Sequence, residues 1–320
     1  GGISKSLKDF NMMAGEPWAN FRRTANPTQT DAELFDQIQL NILEQKQFTD
    51  WQKLMFDGTG YETDHNFSLS TSKNNMSNMI VLGYHKNQSI IENMSYERFS
   101  ARVNGDIKIF DGLSAGYSTM TSHSKRDNGS NSVFSLGSTL NPVTRAFNEN
   151  GEKLYYPSTY CEAYQQTNPL FDIDSENLEN QSFRDRLFFN MFAEWEIISG
   201  LEFRSSLTTD WQFLEDGNYN SPTTNARLLG TNSLSYFKTT EKSVTFTNIL
   251  NYKKILKDHS FDISLVHDMQ RFRSDQIGLS GEDVAYYGKW YNVNEAPDIF
   301  RRSSSYGNWS LLSYMGRINY

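Results

Sequence analysis

From residue 65 onward apolar and polar side chains take turns along the chain, and a period of two restricts it to strands with two unlike faces. The clearest stretch runs from Tyr96 to Phe110. Phe99, Ala101, Val103, Ile107 and Ile109 fall on one side, and Arg98, Ser100, Arg102, Asn104, Asp106 and Lys108 on the other. Asp111-Gly112 then predicts a tight return into Leu113, Ala115, Tyr117 and Thr119. A second hairpin climbs through Leu187, Phe189, Met191, Ala193 and Trp195, turns at Ile198-Ser199-Gly200, and leaves through Leu201, Phe203, Ser205, Leu207 and Trp211. Arg186, Asn190, Glu194, Glu202, Arg204 and Asp210 stand opposite. A third has Val244, Phe246, Leu250 and Tyr252 before a polar turn at 253–259, and Phe261, Ile263 and Leu265 after it. With shorter strands expected at 65–72, 79–86 and 308–320, the total is about nine or ten.

The connections between these strands alternate between short and long. Tight turns are expected near 73–78, 111, 198 and 254–258, with excursions at 87–95, 123–184, 212–241 and 272–307. Short turns at one end and long loops at the other are the plan of an outer-membrane barrel, with the turns periplasmic and the loops extracellular. Strands of 10 or more residues also suffice to cross a bilayer at a tilt of about 45°. The expected fold is therefore all-β, an antiparallel transmembrane β-barrel.

Composition agrees with alternating lipid and water faces. Only 37% of residues are hydrophobic and mean hydropathy is -0.63, yet 14% are aromatic, too many for a disordered chain. Apolar runs of about 20 residues, the mark of a helical membrane protein, do not occur. A formal charge of -8 gives no general attraction to phosphate backbones, which argues against nucleic acid as a partner. The single cysteine, Cys161, has no intrachain disulfide partner.

Residues 1–64 break the rhythm and are expected to form a first extracellular loop region, with 65–320 supplying the barrel strands and their loops. Within the former, TDAELFDQIQLNILEQ predicts one helix, with Thr30 as N-cap, Glu33 at the reciprocal capping position, and Leu34, Ile38 and Ile42 on one side. The chain opens at Gly1 without an initiator Met and stops in mid-strand at Tyr320, so both ends are expected to continue into a longer protein.

The order of several segments resembles the SusC/RagA family of TonB-dependent outer-membrane transporters. The segment TDWQKLMFDGTG (49–60) is followed by HNFSLSTS, IVLGYHKNQSII and YERFSARVNGDIKIFDGLSAG, and later by LNPVTRAFNENGE, NPLFD, IISGLEF and MGRINY. The chain departs from the family at Ser72-Lys73, where Gly-Gly is common, and at Ser89, where Gly is common. The resemblance implies a barrel of about 22 strands around an internal plug, of which this chain holds a part, without the plug or the later strands. It also implies energy from TonB through an N-terminal region absent here, a SusD-like surface lipoprotein as partner, a location in the outer membrane of a Gram-negative bacterium, and uptake of an oligosaccharide or oligopeptide.

Two sets of residues are candidates for contact with such a cargo. Arg98, Arg102, Asp106, Arg186, Glu194 and Arg204 alternate with the lipid-facing residues and are expected to line the lumen. Tyr155, Tyr156, Tyr160, Tyr164 and Phe171 in one loop, and Tyr286, Tyr287, Trp290 and Tyr291 in another, offer aromatic faces with polar edges suited to sugars or peptides. Asp172, Asp174 and Glu176 have the spacing of a calcium loop, but lack its Gly and its closing Glu; no metal, cofactor or catalytic constellation is expected. Two other classes stay open: a surface adhesin or ligand-binding barrel without active transport, and a soluble all-β protein that binds or cleaves glycans.

Overall fold

The computed structural model describes residues 1–5, 11–285, 289–293 and 296–320. Its frame is one antiparallel sheet in which every strand pairs with its sequence neighbours. The strands are β1 (Gly2–Lys5), β2 (Thr59–Lys73), β3 (Met76–Gln88), β4 (Ser95–Phe110), β5 (Leu113–Asp127), β6 (Leu178–Ile198), β7 (Leu201–Asn220), β8 (Ser233–Leu256), β9 (His259–Glu282) and β10 (Asp298–Asn319). Among the described residues β1 and β10 do not pair, so the sheet is open. Among the described residues no helix is long and apolar enough to cross a membrane.

Four tight returns share one end of the sheet. Lys73 pairs with Met76 around Asn74-Asn75, and Leu256 with His259 around Lys257-Asp258; Asn74 and Lys257 take positive φ. At Asp111-Gly112 and Ser199-Gly200 the glycine carries the positive φ, 94° and 86°, and the register shifts one residue earlier on the incoming strand. That combination is a turn closed by a bulge, which re-aims the strand while keeping its alternation. The long connections, 6–58, 89–94, 128–177, 221–232 and 283–297, all lie at the opposite end.

The register sorts side chains as the alternation requires. Phe99 stands opposite Tyr84, Val103 opposite Ile80, Leu187 opposite Trp211, Met191 opposite Leu207, and Phe246 opposite Met269. Because directly opposed residues share a face, these belong to one apolar surface. Among the described residues no second layer covers its middle: Phe99 is 53% exposed, Leu187 41% and Met191 47%. A soluble sheet protein would bury this face against a second layer. Here the buried hydrophobic clusters lie among the loops and the outer strand ends, and none underlies the middle of the sheet.

Several boundaries differ from the sequence reading. The single helix expected from Asp31 is two, α2 (Asp31–Leu34) and α3 (Gln37–Gln45), because Phe35 is extended and buried and Asp36 opens a second capping box with Gln39. Two further helices, α1 (Gly15–Ala25) and α4 (Trp51–Phe56), precede β2, which starts at Thr59 inside the stretch read as loop; β1 lies there as well. Strands also outrun the alternation: β6 has 21 residues and β8 has 24, whereas a crossing needs about 9–11. Their outer halves extend past the hydrocarbon, where side chains have no reason to alternate between grease and charge.

Candidate functional site

On the polar face, β6 and β7 carry a ladder of paired groups. Arg186 donates to Asp210 through Nε at 2.8 Å and Nη2 at 2.6 Å, a forked contact that fixes both side chains. Asn190 donates to the Thr208 hydroxyl at 2.7 Å, and Arg204, opposite Glu194 in register, donates to it at 3.0 Å. Phe188 and Phe192 fill the alternate positions, with the Arg204 guanidinium 4.2 Å from the Phe192 ring centroid. The result is a polar wall on which Arg186 with Asp210 and Arg204 with Glu194 are neutralised in pairs.

The strand β4 differs. Arg98, Arg102 and Asp106 share this same face, and all three are exposed. Arg98 and Asp106 form no ion pair among the described residues, and the Arg102 guanidinium meets only the Met120 sulfur, at 3.7 Å. All six residues expected to line the lumen therefore lie on one face, divided into a paired set (Arg186, Glu194, Arg204) and an unpaired one (Arg98, Arg102, Asp106).

Above this wall the loops form a packed cap. Trp51, Met55 and Phe56 of α4 meet Ile91, Val133, Leu140, Ala146, Cys161 and Leu170, joining the 6–58, 89–94 and 128–177 excursions. The Trp51 indole is 1% exposed and donates to Thr144 Oγ1 at 2.9 Å and the Asn141 carbonyl at 3.2 Å. Asp172 is buried and accepts from the Ser130 and Ser132 hydroxyls and from the Asn225 backbone N–H at 2.9 Å, which ties in the 221–232 excursion. Burial pushes the Asp172 carboxyl above the ordinary carboxylate range, against those three hydrogen bonds. Asp174 meanwhile pairs with Lys153 at 3.1 Å and caps the Glu176 N–H, so the acidic run staples loops together. Cys161 sits in the same core with its thiol pushed up to about 11 by burial, which keeps it protonated and a poor nucleophile at neutral pH.

The structure divides the loop aromatics. Tyr155 packs edge-on against Tyr156 (4.7 Å) and Phe171 (5.7 Å) beside Asp172, and burial raises the Tyr155 hydroxyl to about 12. Tyr160 lies against Tyr164 (4.6 Å) and beneath the Arg22 guanidinium (4.9 Å), while Tyr164 itself is exposed. Trp290 is elsewhere. It stacks on Tyr236 at 5.6 Å, touches Phe183 and donates to Gln181 at 3.2 Å, and these residues belong to the apolar side of the sheet. It fits there because position 217 is glycine; a Cβ would stand within the indole. Tyr291, exposed, packs edge-on to Trp290. Tyr286 and Tyr287 lie outside the described residues. Sequence reasoning missed Glu62, Asp64 and His85, whose ligand atoms lie within 4.8 Å of one another across β2 and β3; only strand register brings them together, and His85 already bonds Asp64 at 2.8 Å.

No family model matches the chain. In sequence it is 22% identical over 284 residues to TonB-dependent receptor P3 of Formosa agariphila, a match covering 85% of this chain and 28% of that receptor. In structure it aligns with the RagAB peptide transporter at a TM-score of 0.77 and 19% identity, over 99% of this chain and 39% of the other. The chain has the fold of a SusC/RagA-like TonB-dependent outer-membrane barrel. The ferric citrate transporter FecA shares the architecture more loosely, at a TM-score of 0.52 and 6% identity over 82% of this chain. This SusC/RagA-like segment therefore spans well under half of the relatives it matches, and its uncovered apolar face belongs in the outer membrane of a Gram-negative bacterium. The relatives named are receptors and transporters.

Proposed function

We propose that the protein containing this segment imports an oligopeptide or oligosaccharide nutrient across the outer membrane with energy from TonB, the oligopeptide being the favoured cargo. The observation that carries this reading is the likeness to a peptide transporter over 99% of the chain. The polar wall adds chemical support: Arg102 and Asp106 stand on one face four residues apart, about 14 Å along a strand. An unpaired cation and carboxylate at that separation suit the opposite termini of a short extended peptide. Arg98 extends the cationic end, while the paired Arg186, Glu194 and Arg204 keep the neighbouring wall wet without gripping the cargo.

In this reading Tyr155, Tyr156, Tyr160, Tyr164 and Phe171 form a contact surface in the loops, and a SusD-like lipoprotein covers it. Tyr291, with Tyr286 and Tyr287 of the same excursion, offers further rings, whereas Trp290 holds that excursion to the outer wall. An N-terminal segment contacts TonB, and no covalent step is catalysed.

Uptake of labelled oligopeptides and oligosaccharides, compared in cells with and without the full-length protein, tests the reading. Peptide uptake that disappears with the gene and with a protonophore is expected, and Arg102→Gln with Asp106→Asn should reduce it several-fold. Oligosaccharide uptake alone would replace the cargo. Surface binding with no uptake would favour a ligand-binding or adhesin barrel.

A further inference from the structure

The apolar face ends abruptly on β8 and β9. In β9 the outward positions run Phe261, Ile263, Leu265, His267 and Met269, nine residues from first to last, about one bilayer crossing. The next two outward positions are Arg271 and Arg273. In β8, Tyr252, Leu250, Asn248, Phe246 and Val244 lead in the same direction to Lys242, which stands directly opposite Arg273, while Val244 stands opposite Arg271. Three cations thus share one face on two adjacent strands, with near neighbours about 5–7 Å apart. They begin where the hydrocarbon stops on the side of the long loops, which is the level of the outer-leaflet headgroups.

Their compensation is incomplete. Arg273 is bonded to Asp275 at 2.7 and 2.9 Å and lies over the Tyr306 ring. The Lys242 ammonium lies 5.4 Å from the Trp211 ring centroid and forms no ion pair among the described residues. Arg271 is exposed and makes no ion pair among the described residues. One carboxylate faces three cations. Elsewhere on the same face cations are matched, Lys125 of β5 with Asp127 at 3.4 Å and Lys238 of β8 with Glu215 at 2.7 Å. In a chain with a formal charge of -8, Lys242, Arg271 and Arg273 thus gather a local excess of positive charge on the lipid-facing wall.

We infer that Lys242, Arg271 and Arg273 form a seat for the phosphate groups of a phosphorylated glycolipid in the outer leaflet, whose acyl chains lie along Val244, Phe246 and Met269 below. Two features select a lipid over a free anion. The cations are continuous with an exposed apolar strip, and they face away from the polar wall. Arginine supplies forked donors to phosphate oxygens, lysine adds a mobile charge, and Trp211 holds the lysine at interfacial depth.

The test uses full-length protein purified from outer membranes, stripped of lipid in detergent and titrated with bisphosphorylated lipid A, its dephosphorylated form, and inorganic phosphate alone. The combined Lys242→Gln, Arg271→Gln, Arg273→Gln variant should bind bisphosphorylated lipid A roughly 100-fold more weakly, each cation contributing about a factor of five near an anionic headgroup. Wild type should lose a similar factor with the dephosphorylated lipid and show no binding of inorganic phosphate in the same range. Lys254→Gln, on the same face at the short-turn end, should leave binding unchanged. Unfolded and folded barrels separate on unheated denaturing gels, so a misfolded triple variant is recognised, and Arg271→Gln alone then serves with an expected loss of about fivefold. Equal affinity of wild type and a folded variant, or indifference to lipid phosphorylation, overturns the proposal.

Discussion

Asp172 shows how a residue that looks like a solvated loop charge becomes structural. Its carboxylate is buried among Ser130, Ser132 and the Asn225 N–H, and its pKa is raised chiefly by burial. A raised folded-state pKa means the folded loop prefers the proton. The group's contribution to loop docking is therefore greatest below the unfolded value of 3.8, declines as pH rises through the raised folded value, and is flat above it. Asp172→Asn keeps an acceptor for Asn225 and should abolish this decline; Asp172→Ala should cost about 1–3 kcal/mol at all pH by leaving buried donors unmet. Hydrogen exchange across residues 130–175 between pH 3.5 and 7 measures both. A constant difference between wild type and Asp172→Asn over that range contradicts the assignment.

Among the elements, β6 separates the two solvents most sharply, since Met191 and Asn190 are neighbours on opposite faces. Met191 is 47% exposed on the apolar side, opposite Leu207, whereas Asn190 donates to Thr208 on the polar side. Met191→Arg should destabilise the membrane-inserted barrel by about 2–4 kcal/mol, the cost of a cation near the hydrocarbon midplane. Asn190→Ala should cost under about 1 kcal/mol, because water in the lumen replaces one neutral hydrogen bond. Urea unfolding of the full-length protein from vesicles distinguishes them, and equal effects would mean that the two faces see the same medium. The helices teach a complementary lesson. The capping pair Thr30 and Glu33 is legible in the sequence and present in the structure, but Phe35 turns into the packing with Ala19 and Leu34 and divides the helix there.

For the whole molecule, the face assignment predicts which tryptophans meet lipid. Trp195 and Trp211 lie on the apolar face, while Trp309 stacks on Phe272 on the polar one at 5.6 Å. In vesicles of brominated lipid, Trp211→Phe should remove a quenched component of the full-length protein's fluorescence and Trp309→Phe an unquenched one. Quenching of both rings alike would contradict a barrel with a wet interior.

By itself the sequence determined the middles of β2 to β10, the four tight turns, the gathering of the long loops at one end and the partition of Phe99 from Arg98 or Met191 from Asn190. All of these depend on contacts between near neighbours and on a period of two, and both are written locally. Tertiary structure alone decided what depends on register and on the paths of long loops. It set the pairing of Arg204 with Glu194, the meeting of Asp64 with His85, the burial of Asp172, and the placement of Trp290 against Tyr236 on the apolar side while Tyr155 lies beside Asp172. Aromatic composition marks a loop as able to bind or to pack. Which of the two it does is set by the free energy of packing against strands distant in sequence, and no local pattern encodes that.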